Sequence, residues 1–296
     1  MPSRPIIALI LLGWLATIGW VAYDRWLPWL RPSEQPAFVL DLADEVAPQN
    51  AIWTLYRKDQ RIGGAETRIA PLKDGTFEMT HRLRETEIKV SLMTVKINNF
   101  VTTKVVNHDG ELIRLSAVAK VDFKALGTTF KVDTKLNGTV VGNTLEATCD
   151  FDSDLGKATE KLDPIPLTSK RAESPLQPLH RFPELRPGQT WREANIDPVN
   201  EALNTAIERV VNRKIAEQFG GRLPFKLPTA KTPRELLAEV QAEPETITHR
   251  DKSYVCHVIV YKAEGFLVKT WVQIEDGKVI RQEASLMDDK LMLQRE

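Results

Sequence analysis

The densest run of chemically capable side chains is Cys149-Asp150-Phe151-Asp152-Ser153-Asp154-Leu155-Gly156. Alternate carboxylates at a strand end are the hard oxygen ligands that calcium takes, so Asp150, Asp152 and Asp154 form the candidate metal site. An EF-hand loop needs Gly at its sixth position and Glu at its twelfth, where this chain has Leu155 and Lys161. The alternative is a solvated strand end entering a turn. Cys256 and His257 adjoin, but neighbours in a strand face opposite ways, so the imidazole does not reach the thiol. Cys149 and Cys256 either join the two groups of strands as a disulfide or remain two buried thiols.

Five histidines, His81, His108, His180, His249 and His257, show neither HxH nor HExxH spacing. His81 shares a face with Phe77, Met79 and Leu83 and reads as a satisfied core residue. No nucleophile elbow, phosphate loop or dinucleotide fingerprint occurs, so no catalytic residue and no cofactor is nominated. Lys plus Arg equals Asp plus Glu, 40 each. Removing residues 1–35, with Arg4, Asp24, Arg25, Arg31 and Glu34, leaves the balance within one charge of neutral. That gives no electrostatic footprint for nucleic acid.

The elements that must position these groups begin with a membrane anchor. Pro5 to Tyr23 reads PIIALILLGWLATIGWVAY without a charge, and about 20 apolar residues span a bilayer as a helix. Trp26 and Trp29 follow where indoles favour the headgroup layer. A cleavable signal peptide is disfavoured because Trp20 lies three residues before any cut after Ala22. The expected organisation is a short cytoplasmic tail and transmembrane anchor over 1–31, a stalk over 32–50, and an extracytoplasmic β-rich domain over 51–296.

Four dipeptides suit hairpin turns: Asp74-Gly75, Asp109-Gly110, Asn137-Gly138 and Asp276-Gly277. The last-but-one explains the Asn137-Gly138-Thr139 sequon without a sugar. Between them the sequence alternates as half-buried strands do. Ile113, Leu115, Ala117, Ala119, Val121 and Phe123 share one face, as do Phe130, Val132, Thr134 and Leu136. Val141, Leu145, Ala147, Cys149 and Phe151 continue it. A second group, 254–261, 266–274 and 279–287, is apolar on both faces. Between the groups, Asp197-Pro198 caps a helix that ends at Gly220-Gly221, with Leu203 and Ile207 on its apolar stripe. The loop beyond it carries Phe225.

The fold class expected is mainly β with a minor α component: a curved antiparallel half-barrel covered by that amphipathic helix and preceded by one transmembrane helix. Trp53 to Tyr56, then Arg61-Ile62-Gly63-Gly64, and the later Pro183-x-Leu185-x-Pro187-Gly188-x-x-Trp191 resemble uncharacterised bacterial envelope β-domains. Their layout resembles the lipoprotein-carrier (LolA/LppX-like) half-barrel. The resemblance implies a sheet that wraps a helix and can enclose a lipid. Three functions are in view: a membrane-tethered envelope interaction or assembly module, an apolar-ligand site between sheet and helix, and an enzyme, for which no substrate is nominated. For the second, the lining would be Ile113, Leu115, Val121, Phe123, Phe130, Val132, Leu203, Ile207 and Phe225. The partners would be the membrane and an envelope protein or lipid.

Overall fold

The computed structural model describes residues 14, 17–19, 49–90, 93–125, 128–154, 156–167, 181–182, 185–194, 199, 235–286 and 289–296. The alternation of apolar and polar residues becomes sixteen strands: β1 Gln49–Arg57, β2 Gln60–Pro71, β3 Phe77–Val90, β4 Met93–Val106, β5 Leu112–Ala125, β6 Thr128–Val141, β7 Thr144–Ser153 and β8 Gly156–Lys161. There follow β9 Ile165–Pro166, β10 Thr190–Ala194, β11 Glu235–Val240, β12 Glu245–His249, β13 Lys252–Ala263, β14 Phe266–Gln273, β15 Val279–Leu286 and β16 Asp289–Arg295.

All belong to one antiparallel sheet, in the order β10-β11-β13-β14-β15-β16-β1-β2-β3-β4-β5-β6-β7-β8. β12 pairs with β13, and β9 with β7, off this path. The sheet is not closed, for its path ends at β10 on one side and β8 on the other. Hairpins make most neighbours, as the turn dipeptides predict. The long-range ladder is β1 on β16, from Trp53↔Arg295 to Arg57↔Leu291. It fuses the meander β1–β8 with the C-terminal group.

Three of the four expected turns are present, with Gly75, Gly110 and Gly277 at φ of 78°, 76° and 70°. Asn137-Gly138 is not one. It lies inside β6, and the β6–β7 reversal falls at Gly142, φ 62°. Gly138 serves packing instead: a Cβ there would stand 2.8 Å from Leu145 Cδ1. Val141, expected on the apolar side, is consequently 54 % exposed beside the turn. The β1–β2 and β12–β13 hairpins turn on Lys58-Asp59 and Arg250-Asp251, all four residues at positive φ.

The inner face holds two adjoining clusters. Ile69, Met79, Val106, Leu115, Leu136, Leu145, Cys149 and Phe151 anchor the first. Trp53, Trp191, Leu236, Ile259, Tyr261, Val268 and Val279 anchor the second. Ala65, in the second, and Ile69, in the first, are on the same face of β2, since alternate residues share a face. A third cluster, Ile247, Cys256, Val258, Val260, Trp271 and Ile280, lies on the opposite face of β13–β15. These strands are therefore buried on both sides, as their two apolar faces predict. Glu245 on β12 accepts a 2.8 Å hydrogen bond from Trp271 Nε1, which ties the β12–β13 hairpin over this cluster.

The predicted anchor falls mostly outside the described residues. Within them, Trp14 and Thr17–Gly19 are helical and exposed, and no described helix is long and apolar enough to cross a membrane. The stalk, 32–50, is also outside them, except that Gln49 and Asn50 already belong to β1. The expected covering helix lies outside too, apart from Val199. Among the described residues no helix covers the sheet.

One close approach offers a test of the packing. A Cβ on Gly63 would meet Thr86 Oγ1 and come 3.0 Å from Thr86 Cα, a backbone atom that cannot swing aside. Gly63→Val is expected to lower unfolding stability by about 1–3 kcal/mol in urea titration. The same change at Asn50, exposed on β1, should cost well under 1 kcal/mol.

Candidate functional site

The inner face is built by register. Trp53, Ala65, Leu83, Phe100, Ala119, Thr134 and Phe151 face one another from β1 to β7. The next row runs Ala51, Thr67, His81, Thr102, Ala117, Leu136 and Cys149. On the C-terminal side Trp191 is buried edge-on against Tyr261, ring centroids 6.1 Å apart. The Pro-Gly-x-x-Trp motif seats it: Gly188 takes φ 76° and its N–H donates to Val240 at 2.9 Å. Arg295 closes the seam over the Trp53 ring, 5.8 Å from its centroid.

Of the lining expected from the sequence, Leu115 is buried in the inner core, with Val132 packed against it and half-buried. Val121 and Phe123 are half-buried farther along β5, and Phe130 stands opposite Phe123 in the ladder. Ile113 does not join them as expected. A bulge between Val105 and Val106 sets Leu112 against Val106, so Leu112 enters the core and Ile113 becomes the extra residue. Leu203, Ile207 and Phe225 lie outside the described residues. Val199 is helical and 1 % exposed within the first cluster. The chain after β10 therefore returns to this face.

The acidic run sits on the outer face and at the β7–β8 turn. Asp150 accepts a 2.7 Å bond from Thr159 Oγ1, and Asp152 pairs with Lys157 at 2.7 Å. Asp154 accepts from the Lys131 N–H at 2.8 Å. Calcium here would have to displace Lys157 and that backbone bond. Among the described residues no three His, Cys, Asp or Glu side chains converge on a metal site. Lys120, Asp133, Lys135 and the same Asp150–Lys157 group line an open groove of about 540 Å³. Basic and acidic side chains alternate there, three of each, so it favours neither sign.

Cys149 and Cys256 are free and buried. They belong to clusters on different faces, so no disulfide joins them. Burial, then the Asp150 charge, pushes the Cys149 thiol up to about 12. Burial also raises Cys256, to about 11. Neither is a thiolate nucleophile near neutral pH.

The inner face also holds polar atoms that sequence reasoning passed over. His81 is on the expected face but is not satisfied. Both ring nitrogens are buried without a partner, as are Thr134 Oγ1, Thr270 Oγ1 and His257 Nδ1. Lys104, two residues along β4 from Thr102, is 1 % exposed. Its signal was available, a lysine in phase with Phe100, Thr102 and Val106. Burial first, and the Lys104 charge second, push His81 down to about 3.

Fold and face together define an open antiparallel sheet with one largely apolar face. No protein-family model matches the chain, and no curated protein matches it. Among solved structures it is similar to a β-barrel-like protein of a domain of unknown function, DUF1849, from Brucella abortus. That match has 10 % identity, covers 84 % of this chain and 95 % of the other, and has a TM-score of 0.37. At that score it carries no argument about this chain.

His81 gives the site a pH signature. Its ordinary value is 6.5, so the unfolded chain takes up a proton below that pH while the folded chain resists it down to about 3. The stability it lends is complete above 6.5 and is lost as pH falls. Between pH 7 and pH 5 that loss should reach about 2 kcal/mol in urea unfolding. His249, lowered by burial first and then by the Arg250 and Arg281 charges, acts in the same direction. His81→Phe should flatten the profile by the His81 share.

Proposed function

We propose that the chain is a membrane-tethered, extracytoplasmic binding domain whose inner sheet face receives an apolar or amphiphilic ligand. The observation that carries this reading is the inner face itself, a field of buried apolar side chains on an open sheet in which several polar atoms lack partners. Paired buried polar atoms are the rule, and unpaired ones call for a bound partner or water. Curved sheets commonly form sites lined in this way, mostly apolar with a few placed polar groups. The uncharged run from Pro5 to Tyr23 supports the tether, and a tether would hold the domain close to lipids. A fixed protein does not cross a compartment with cargo, so the ligand would be taken up and released beside the membrane.

A second reading, an envelope interaction module, is favoured by a surface feature. Val255 and Ile274 are 50 % and 46 % exposed, and their backbones are joined by a 3.0 Å hydrogen bond, so two apolar side chains stand together at the surface. Reproducible crosslinks from this pair to one envelope protein would move the assignment to that reading.

Native mass spectrometry of the full chain, purified in mild detergent, tests the first reading. The expected result is a discrete adduct of a few hundred daltons that solvent extraction recovers as an apolar compound. A clean mass of the bare chain under the gentlest conditions would count against ligand binding.

A further inference from the structure

Strand β12 leaves the main path of the sheet and forms an arm over the third cluster. Its described ladder is with the first part of β13, from Glu245↔Cys256 to His249↔Lys252. At the base of the arm the Gln241 N–H donates to Val258 O at 2.8 Å, and Ala242, Glu243 and Pro244 between β11 and β12 are exposed. On its other side β13 enters the β14 ladder at Cys256. Alternation puts Glu245, Ile247 and His249 on one side of β12. Glu245 holds Trp271 Nε1 at 2.8 Å, Ile247 packs in the third cluster, and His249 Nε2 is buried. A carboxylate, an aliphatic chain and an imidazole thus seat the arm over Cys256, Val258, Trp271 and Ile280.

Of the three, the imidazole is the group whose charge changes near neutral pH. Its Nε2 has no hydrogen-bond partner, so a proton added there becomes a buried donor with nothing to accept it. The proton also sets a cation beside others. Arg250 follows in the turn, and Lys252 stands opposite His249 in the ladder. Arg281 on β15 is fixed by a 2.7 Å bond to Gln294 Oε1 and by its seat over Trp271. Glu296 opposes these charges, but its Oε1 accepts from Thr54 at 2.7 Å and its Oε2 pairs with Arg250 at 3.5 Å. Glu245 is committed to Trp271, and Asp251 is exposed in the turn. Burial first, then Arg250 and Arg281, hold His249 below its ordinary 6.5, against a backbone hydrogen bond with Arg295 and the Glu296 charge. The closed arm therefore resists a proton that a freed arm accepts. Its closure is strongest above 6.5 and weakens as pH falls. We propose that the arm 245–255 is an acid-released flap, which neutral His249 keeps closed and protonated His249 frees, uncovering the third cluster beside Val255 and Ile274. The flap lies on the face opposite the proposed ligand site and does not depend on it.

Thiol labelling of the full chain in mild detergent with dithiodipyridine reads the flap through Cys256. Cys149, buried in the first cluster, is the reference for wholesale opening. The ratio of the Cys256 rate to the Cys149 rate is expected to rise about threefold or more between pH 7 and pH 5. Its slope should be no steeper than about tenfold per pH unit, the limit for one proton. His249→Gln keeps an N–H donor and takes up no proton, so it should hold the ratio flat. A ratio that stays constant in the unaltered chain, or rises as much in the variant, would overturn the proposal. Should the variant fail to fold, hydrogen exchange of the unaltered chain decides. After correction for intrinsic rates, the amides of 246–254 should lose protection at pH 5 while those of β14 keep it. Protection unchanged in the arm, or lost evenly across both, would rule out the flap.

Discussion

The pairing of the last strand with the first is the constraint on which the rest depends. Without the ladder between β1 and β16, β1–β8 and β10–β16 would be two sheets with four edges between them, each a template for wrong pairing. With it, one inner face runs across the molecule, and Trp53 becomes interior to the sheet instead of marginal. The seam is reinforced on both faces. Inside, Arg295 lies over the Trp53 ring. Outside, Thr54 Oγ1 donates to Glu296 Oε1 at 2.7 Å, and the Glu296 N–H to Ile52 at 2.8 Å. Burial, its largest influence, lowers the Arg295 value from the ordinary one, and the ring face and a 3.4 Å hydrogen bond to Val279 O are among its compensations.

That seam also sets where polar groups can be tolerated. A residue inside a strand has its backbone satisfied by two neighbours, so only its side chain remains to be accounted for. Thr86 resolves its own hydroxyl by donating to Arg84 O at 3.3 Å. His81 makes no such bond, and both its ring nitrogens stay without a partner beside Thr67 and Thr102. The contrast between the two sites comes from Glu85, whose φ of 50° departs from extended backbone and lets the Arg84 carbonyl accept from Thr86. A regular strand offers no such carbonyl at His81.

Much of this was legible in the sequence, and for a physical reason. Half-buried antiparallel strands write their period directly, so β5, β6 and β7 were placed by alternation, and β13–β15 by apolar runs on both faces. What was not legible falls into two kinds. Local departures came from geometry that composition underdetermines: Ile113 lost its place to Leu112 at a bulge, and Gly138 served a close approach to Leu145 although it looked like a turn residue. Lys58-Asp59 and Arg250-Asp251 turn hairpins with positive φ and no glycine, which no dipeptide rule anticipates. The second kind is non-local. Nothing near Trp53 announces β16 as its neighbour. The buried polar row at His81 exists because β2, β3 and β4 set Thr67, His81 and Thr102 opposite one another, a register that sequence alone leaves open. Histidine on an apolar face read as satisfied because its missing partners are a property of the row and not of the strand.

The two edges that end the sheet among the described residues explain why it can stay open. Closing it would require β8 to pair with β10, and full closure is what abolishes edges in barrels. β8 is six residues long and carries Lys157 and Lys161, both exposed. Charged lysines on a short edge strand oppose the addition of another strand. At the other end β10 is shorter still, five residues. The chain beyond it turns back to the inner face, where Val199 is buried. One edge is thus blunted by charge, and beyond the other Val199 is buried in the first cluster. An open sheet managed in this way leaves its inner face to be covered by something other than strands. That requirement, set by the edges, is the ground on which a ligand is proposed for this face.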